Sequence, residues 1–432
     1  MPDQAESDPR THGVLAGLKV VEFAQNAAVP QCGRLLAGMG ADVVKVEPNE
    51  GDAMRQAAPL TPNEARAYAT INPGKRAMCL DLASPRAAAV VDGLIDWADV
   101  CLVGLKAADV DRFGLGWERV HGRNPRLVQM VLTAFGPLGP DADQGGYDVL
   151  VQAMSGLGFS MNRSETGVPM PTRPALFDFS AGAIATVGVL AALRHRDATG
   201  VGQRVDTSLL GAALTLGTPV ITAFDRDAKG MERVREGIDL LRQAGADFDT
   251  QRATYESQVV AGAGVFRIYF RHYLTADGIV SVAGMSPGLL AKFHEITGLD
   301  EPPNLDPTTP EFEAAVTAAE QLFATKPTDE WLRLLRAENY PCSRYNFPYE
   351  AVEDPQAVAN DYVVDLDHPD FGGYRTVGMP FGFDATPTGI SGPSPRLGEH
   401  TSDVLAEIGL DPETITELHR SGVVRSRDET PE

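Results

Sequence analysis

The sequence has little cysteine and a shortage of positive charge. Its four cysteines are widely separated, in none of the paired spacings that hold zinc. We therefore expect reduced thiols, no metal site and a cytoplasmic location. The chain has 37 lysines and arginines and 59 aspartates and glutamates, which gives a net charge of −22. Such a chain disfavours contact with nucleic acid or an anionic membrane. We also expect no apolar run long enough to span a membrane.

Two glycine-rich phosphate-binding motifs are missing as well. A dinucleotide site needs glycines in the first β–α turn, and the turn at 24–28 reads AQNAA. Gly38 and Gly40 come after the predicted helix, where they would end it. No Walker P-loop occurs either. The sequence therefore predicts neither NAD binding nor ATP-driven ligation.

What is present begins as a β–α–β unit. Residues 18–23 and 42–47 are short apolar runs typical of strands, and residues 30–37 between them are typical of a helix. Such a unit predicts a parallel sheet with right-handed crossovers. Further strands are predicted at 98–103 and 127–132. With 432 residues, the chain is too long for one ordinary core, so two domains are expected.

One carboxylate, Asp178, lies in an apolar stretch between two phenylalanines. Apolar residues recur at helical spacing over 180–196, with Ser180 as a plausible N-cap and Gly200 past the end. The predicted helix is apolar on nearly every side, which indicates burial. Free N–H groups at its start would keep Asp178 ionised and available as a nucleophile. The alternative is that Asp178 only caps the helix.

Several motifs, taken in order, resemble one family. The segment DFSAG at 178–182, with the alanine-rich helix and RVDTSLL that follow it, resembles the centre of the family III CoA-transferases, to which the α-methylacyl-CoA racemases are related. Residues 17–55 resemble the opening of that family. INPGKRAMCLDL at 71–82 resembles its asparagine–lysine segment, and SPRLGEHTSDVLAEIGL at 394–410 a closing motif.

The resemblance implies a fold and an assembly. The expected fold class is α/β, with a Rossmann-like parallel-sheet large domain and a smaller α+β domain in an interlocked homodimer. Residues 15–215 would form the first part of the large, CoA-binding domain, 223–341 the small domain, and 350–425 a return segment that completes the large one. The partners would be coenzyme A thioesters and carboxylic acids, with no metal, NAD, nucleic acid or membrane.

The same resemblance implies roles for individual residues. Asp178 would be the catalytic nucleophile, attacking an acyl-CoA thioester to form an anhydride and then an aspartyl-CoA thioester. Further residues would bind CoA or stabilise the oxyanion: Lys75, Arg76 and Arg112 at the nucleotide end, Asn72 in the same segment, and the backbone at Ala27 and Ala28. Ordinary surface charge is the alternative for each cation taken alone.

Two other functions stay open at this point. One is a 2-methylacyl-CoA racemase, whose relatives use a histidine in a Gly-His-Asp motif; the stretch here is Gly146-Tyr147-Asp148, and tyrosine is a poor base at neutral pH. The other is an acyl-CoA-binding protein without catalysis. Residues 223–248 depart from the family pattern, so the sequence assigns neither a lid nor an acyl pocket.

Overall fold

The computed structural model describes residues 9–160, 168–259, 264–302, 304, 306 and 309–426. The chain divides into two compact units. One comprises Met1–Thr222 with Asp354–Glu432, and the other Ala223–Glu353. The larger unit is therefore discontinuous in sequence, because the chain leaves it for the smaller unit and then returns.

Strands and helices alternate through the first part of the chain. The strands are β1 (Lys19–Ala24), β2 (Asp42–Glu47), β3 (Pro59–Thr61), β4 (Glu64–Ala65), β5 (Arg76–Cys79), β6 (Val100–Gly104), β7 (Val128–Thr133), β8 (Arg204–Ser208), β9 (Phe270–Leu274), β10 (Ile279–Ala283), β11 (Cys342–Arg344), β12 (Val363–His368) and β13 (Gly372–Val377). The helices are α1 (Pro9–His12), α2 (Ala28–Gly38), α3 (Arg66–Ile71), α4 (Ala87–Trp97), α5 (Ala107–Arg112), α6 (Trp117–Arg123), α7 (Asp148–Met154), α8 (Leu176–Thr199), α9 (Leu209–Leu216), α10 (Thr218–Ile221), α11 (Ala228–Gln243), α12 (Phe248–Val259), α13 (Gly264–Ile268), α14 (Pro287–Thr297), α15 (Pro310–Phe323), α16 (Thr328–Ala337), α17 (Pro348–Ala351), α18 (Pro355–Ala359), α19 (Thr401–Glu407) and α20 (Pro412–Arg420).

A six-stranded parallel sheet forms the centre of the larger unit, in the order β5-β2-β1-β6-β7-β8. This confirms the α/β class and the parallel sheet predicted from the opening unit. The strand order reverses between β1 and β6, and a crevice for ligands opens at such a reversal, outside the carboxyl ends of the strands. The topology therefore points to the segments that follow β1, β6 and β7.

The sheet is covered on both faces, which explains its nearly continuous apolar strands. Successive residues of β1, such as Val20 and Val21, point to opposite sides of the sheet. Val20 packs in the cluster that includes α2 and α8, whereas Val21 packs in the cluster that includes α4 and α20. Both valines are fully buried. The sheet is thus held as a rigid platform beneath its carboxyl edge.

Helix α8 begins earlier than the sequence predicts. It runs Leu176–Thr199 with Ala175 at the N-cap, so Asp178 lies in its first turn instead of before it. Ser180 is inside the helix, where its hydroxyl donates to the carbonyl of Phe177 at 3.3 Å. Gly200 ends the helix as predicted, with a left-handed φ of +80° that glycine adopts without strain.

Helix α8 is not buried on every side within the single chain, contrary to the prediction. Ala181, Ala185 and Val189 face the core, but Val187 is 67% exposed. The helix has 24 residues, and an 18-residue window of it has a mean hydropathy of 1.8, which corrects the expectation that no apolar run reaches membrane-spanning length. Because its buried face packs against α2 and β7, it is a core helix of the larger unit.

The smaller unit contains an antiparallel sheet in the order β11-β10-β9. Its core is aromatic: Tyr273 stacks on Phe323 with ring centroids 4.2 Å apart, and Phe323 stacks on Trp331 at 4.4 Å. The strand predicted at 265–273 starts late, because Gly264–Ile268 forms helix α13. The helical character predicted for 223–248 is found in α11.

Candidate active site

Asp178 lines a cavity of about 520 Å³ in the larger unit, at the carboxyl ends of β1, β6 and β7. This is the edge at which the strand order reverses. The lining residues are Gln25, Asn26, Ala27, Ala28, Val29, Gly104, Leu105, Lys106, Ala107, Leu132, Thr133, Ala134, Ala142, Gln144, Gly145, Gly146, Tyr147, Asp178 and Leu209. Asp178 is the one carboxylate among these described residues, and so the single candidate among them for an acidic nucleophile.

The carboxylate of Asp178 is electrostatically unusual. Burial, with a further contribution from the charge of Asp148, raises its pKa to about 6. Among the described residues no cation forms an ion pair with it. The position in the first turn of α8 favours the anion, but it does not overcome burial, so the sequence-based argument from the helix terminus is incomplete. At pH 7 the Asp178 side chain is still ionised in about nine-tenths of the molecules.

Asp148 caps the helix that carries Asp178. It is buried in the first turn of α7, and its Oδ2 accepts the N–H groups of Phe177 at 2.6 Å and Asp178 at 3.1 Å. Its Oδ1 accepts from Gln152. A carboxylate from another helix thus supplies the cap that Ser180 was predicted to give. The role of Asp148 is structural and electrostatic, and the neighbouring Tyr147 is 65% exposed at the cavity.

The turn between β1 and α2 faces Asp178 across the cavity lining. Asn26 has a left-handed φ of +65°, which asparagine adopts more readily than most residues. Ala27 is the N-cap of α2, and Ala28 is its first residue. The first N–H groups of a helix have no partner within the helix. The structure therefore brings Ala27 and Ala28 together with Asp178, and their predicted part in oxyanion stabilisation stays a prediction.

Lys75 and Asn72 lie elsewhere, inside the protein. The ammonium of Lys75 donates to Glu22 at 2.8 Å, to the carbonyl of Pro30 at 2.8 Å and to Asn72 at 3.0 Å, which uses all three of its protons. Its side chain is fully buried, and burial lowers its pKa to about 8 although Glu22 opposes the shift. A CoA phosphate cannot reach either residue in this arrangement, so the geometry does not support the binding role predicted for them.

The two predicted arginines are separate from Lys75 and from each other. Arg76 binds Asp42 at 2.6 Å and Glu407 at 2.7 Å, and its side chain is only 20% exposed. Arg112 is 63% exposed; it pairs with Asp109 at 3.3 Å and lies over the ring of Phe113. The three predicted cations therefore do not form one cluster. Arg112 alone among them lines a cavity, a groove of about 560 Å³.

That groove is linked to the Asp178 cavity through a third cavity. This third cavity, of about 550 Å³, lies at the same edge of the sheet. It shares Gln25 and Leu105 with the Asp178 cavity, and Leu82 and Phe113 with the Arg112 groove. Three adjoining cavities thus follow one another from Asp178 to Arg112.

Lys106 is a cavity residue that the sequence analysis did not assign. It follows β6, it is exposed, and it lines the same cavity as Asp178. Its stem lies where a side chain at Gly145 would be: a Cβ there would come within 3.1 Å of Lys106 Cε. The signal in the sequence was a lone lysine just past the predicted strand at 98–103, at the edge where parallel strands present ligand-binding groups.

One cluster outside the cavity has the composition of a metal site. Donor atoms of Glu64, His368 and Asp370 lie within 4.8 Å of one another. The imidazole Nδ1 of His368 accepts the N–H of Asp370 at 3.2 Å, so a neutral ring carries its proton on Nε2 and has no lone pair there for a metal. Arg396 binds both oxygens of Asp370. These contacts favour an ion-pair network over metal binding.

Comparisons with known proteins agree on one family. The sequence model described as CoA-transferase family III matches residues 15–401. The chain is 32% identical to a formyl-CoA:oxalate CoA-transferase of Streptomyces avermitilis, covering 95% of this chain and 99% of the relative. It is 31% identical to a succinate–glutarate CoA-transferase of Agrobacterium fabrum, covering 94% and 99%. A CaiB/BaiF family protein from Brucella suis shares the fold with a TM-score of 0.71 at 24% identity, over 92% of this chain and 100% of that one.

Proposed function

The chain belongs to CoA-transferase family III, and from that premise we propose that Asp178 is the nucleophile through which it moves CoA from an acyl-CoA donor to a free carboxylic acid. One observation carries the assignment: Asp178 is the single carboxylate among the described residues that line the cavity. A carboxylate nucleophile suits the reaction because it exchanges one thioester for another without ATP.

The steps follow from the position of Asp178. Its carboxylate oxygen attacks the thioester carbonyl of the donor, and the C–S bond breaks to give an aspartyl anhydride and CoA thiolate. The thiolate attacks the aspartyl carbonyl and releases the donor acid. The acceptor carboxylate then attacks the aspartyl carbonyl of this thioester, and the C–S bond breaks to give a second anhydride and CoA thiolate. The thiolate attacks the acceptor carbonyl of that anhydride, which forms the product thioester and frees Asp178. Each addition creates an oxyanion, for which the N–H groups of Ala27 and Ala28, two residues that line the cavity, are the proposed donors.

The row of three adjoining cavities is the proposed path of CoA. Its thioester end would lie at Asp178 and its nucleotide end at Arg112, whose exposed guanidinium can bind phosphate with forked N–H donors. Replacing Arg112 by alanine should weaken CoA binding by about 1.5–3 kcal/mol in calorimetry. Arg420→Ala, which removes an exposed arginine that lines none of these cavities, is the matched control. Equal dissociation constants for the two variants would remove Arg112 from the site.

A short dicarboxylic acid is the acceptor class we propose. The printed names of two relatives refer to oxalate and to succinate and glutarate. In this chain Lys106 lines the Asp178 cavity and can neutralise a second carboxylate while the first reacts. Methylation of one carboxyl group of a productive acid should therefore lower its kcat/KM, and Lys106→Met should reduce that difference.

The test of the function is a direct transfer assay. Acyl-CoA donors are paired with free acids, and the new thioesters are detected by mass. Asp178→Asn keeps the shape but removes the attacking anion, so transfer should fall by at least about a thousandfold. Binding of the CoA ester should persist. Near wild-type transfer by Asp178→Asn would show that the nucleophile is another group.

The racemase alternative loses support from the cavity. No histidine is among the described residues that line it, and Tyr147 occupies the position that resembles the racemase histidine. Incubation of a chiral 2-methylacyl-CoA in deuterated water should give no α-deuterium above background. Rapid exchange together with no transfer to any acid would make racemisation the correct function.

We also propose the homodimer that the family resemblance implies. Beyond Val187, the larger unit exposes apolar side chains on α9 and α10, including Leu216 at 54% and Val220 at 68%. Contact with a second copy of the chain would cover these exposed apolar side chains. Light scattering should give a mass near twice that of the chain even at high dilution, because interlocked chains do not separate without unfolding. A folded monomer would contradict the proposal.

A further inference from the structure

Three buried charged side chains bind the backbone of the β1–α2 turn. The ammonium of Lys45 donates to the carbonyl of Ala24 at 2.7 Å, just before the turn. The carboxylate of Asp52 accepts the N–H of Asn26 at 3.2 Å, within it. Lys75 donates to the carbonyl of Pro30 at 2.8 Å, just after it. The five residues between these anchors, Gln25 to Val29, all line the Asp178 cavity.

The three anchors are joined to one another. Glu22 binds Lys45 at 3.0 Å through one oxygen and Lys75 at 2.8 Å through the other. Lys45 also binds Asp52 at 2.9 Å. These side chains have no exposed surface. The turn is therefore tied to one chain of ion pairs, Asp52–Lys45–Glu22–Lys75, and no member can move without breaking contacts of another.

In this network Lys45 and Glu22 each favour the charged form of the other. Burial opposes the charge of Lys45, but Glu22 and Asp52 outweigh it and hold its pKa above the ordinary value. Burial alone would raise the pKa of Glu22, but Lys75 and Lys45 outweigh it and keep that pKa low. Removing one partner from a buried pair leaves the other charge uncompensated, which is costly. The lowest-energy state is thus the one in which every backbone anchor stays in place.

The turn needs such anchors because its own sequence does not fix it. It contains no glycine, and Asn26 occupies the left-handed region at φ +65°. A non-glycine residue stays in that region only where the surroundings enforce it. Asp52 does so directly, because one oxygen accepts the N–H of Asn26 and also that of Met54 at 2.9 Å. The orientation of the peptide groups at Ala27 and Ala28 follows from that conformation.

We propose that Lys45 and Asp52 are positioning residues for the transfer reaction: by binding the backbone of Ala24 and Asn26, they hold the N–H groups of Ala27 and Ala28 in place for the oxyanion formed at Asp178. The inference rests on the proposed function of Asp178. Fixed donors stabilise a developing charge far better than donors that must reorient, so the network acts on the chemical step and not on CoA binding. Neither residue is among those that line the Asp178 cavity.

The experiment compares variants that differ in whether they release the turn. Asp52→Ala removes the acceptor of the Asn26 N–H, and Lys45→Met keeps the length of the stem but removes the donor to Ala24. Both should lower kcat by about 10- to 100-fold, the effect of misplacing catalytic groups by about an ångström, while KM for acyl-CoA changes less than about twofold. Asp52→Asn retains a carbonyl acceptor for Asn26 and should recover most of the loss in kcat.

Tyr273→Phe is the matched control. It removes another buried hydrogen bond, from Tyr273 to the carbonyl of Ile268 at 2.6 Å, but no contact to the turn or to its anchors. It should lower thermal stability and leave kcat unchanged. If Asp52→Ala does not fold, Lys45→Met still decides the question. A folded Asp52→Ala or Lys45→Met protein with wild-type kcat, or a Tyr273→Phe loss in kcat as large as theirs, would overturn the positioning role. Wild-type protein that transfers no CoA would instead reject the proposed function itself.

Discussion

Two carboxylates are associated with the β1–α2 turn, and they differ in their charged partners. Glu22 binds the two lysines that anchor the turn, and Asp178 lines the same cavity as the turn. Glu22 has a lysine on each oxygen, which keeps its pKa below the ordinary value despite burial. Asp178 has no cation partner among the described residues, and burial together with Asp148 raises its pKa to about 6. Burial therefore does not decide the state of a carboxylate; the partners at its oxygens do.

The difference separates structural charge from reactive charge. A paired carboxylate such as Glu22 is a poor nucleophile, because both oxygens are occupied by N–H donors. An unpaired one is destabilised in its anionic form and gains when it forms a covalent bond. On the proposed function of Asp178, the nucleophile has no cation partner among the described residues, whereas paired charges hold in place the turn that lines the same cavity.

The largest effect on stability should come from removing Glu22, the carboxylate that both lysines bind. Glu22→Ala leaves Lys45 and Lys75 without their common partner, and it should lower the free energy of unfolding by about 3–5 kcal/mol. Urea denaturation followed by circular dichroism measures the change. Asp365→Ala, which removes an exposed pair with Arg375, should give no measurable change. Equal effects of the two substitutions would show that the buried network contributes nothing special.

The fold was largely predictable because local patterns specify it. The strand predicted at 42–47 has the observed bounds of β2, and β1, β6 and β7 start within two residues of their predictions. Apolar runs between helices are a strong signal for a parallel sheet buried on both faces. The small unit was harder, since the apolar run at 265–273 is helix in its first half and strand in its second.

The site was predictable only where a residue acts through its own motif. The structure places the predicted nucleophile Asp178 at a cavity, but the start of its helix was not predicted, because the cap is a carboxylate 30 residues earlier in the chain. Lys75 was interpreted as a CoA ligand, although it binds Glu22 across 53 residues of sequence. A lysine that pairs in the core and one that faces a ligand look alike until the fold brings the partner into contact.

The pH dependence of transfer should report the raised pKa of Asp178. Asp178 must be ionised to attack, so kcat should be constant above its pKa of about 6 and fall tenfold per pH unit below it. Two units below that pKa, the loss is about a hundredfold. Steady-state rates with a saturating donor give the profile. A kcat that stays flat down to pH 4 would contradict a raised pKa, because an ordinary aspartate titrates there.

The same raised pKa has a cost in stability that Asp178→Asn should remove. A carboxyl group with a raised pKa in the folded state binds its proton more tightly there, so folding is disfavoured as pH rises from about 4 to 6, and the penalty persists above 6. Allowing for partial solvent exposure, we expect Asp178→Asn to be more stable than wild type by about 1–2 kcal/mol at pH 7.

Denaturation at two pH values checks that linkage. The gain in stability of Asp178→Asn should vanish near pH 3, where the Asp178 carboxyl group of the wild type is mostly protonated in both the folded and the unfolded state. Asp367→Asn, which alters an exposed aspartate away from the cavity, should change stability equally at both pH values. An advantage of Asp178→Asn that is independent of pH would attribute it to packing instead of charge.

The smallest effect should come from Asp148, which supplies the lesser of the two causes of the Asp178 shift. Asp148→Asn removes the charge but keeps a carbonyl oxygen that can accept the N–H groups of Phe177 and Asp178, so the start of α8 should persist. The break in the kcat profile should then move to lower pH by less than one unit, because burial remains. Asp148→Ala removes the cap as well, and it should also lower thermal stability by about 1 kcal/mol. A profile that does not move in Asp148→Asn, in a folded protein, would assign the whole shift to burial and leave Asp148 with the cap alone.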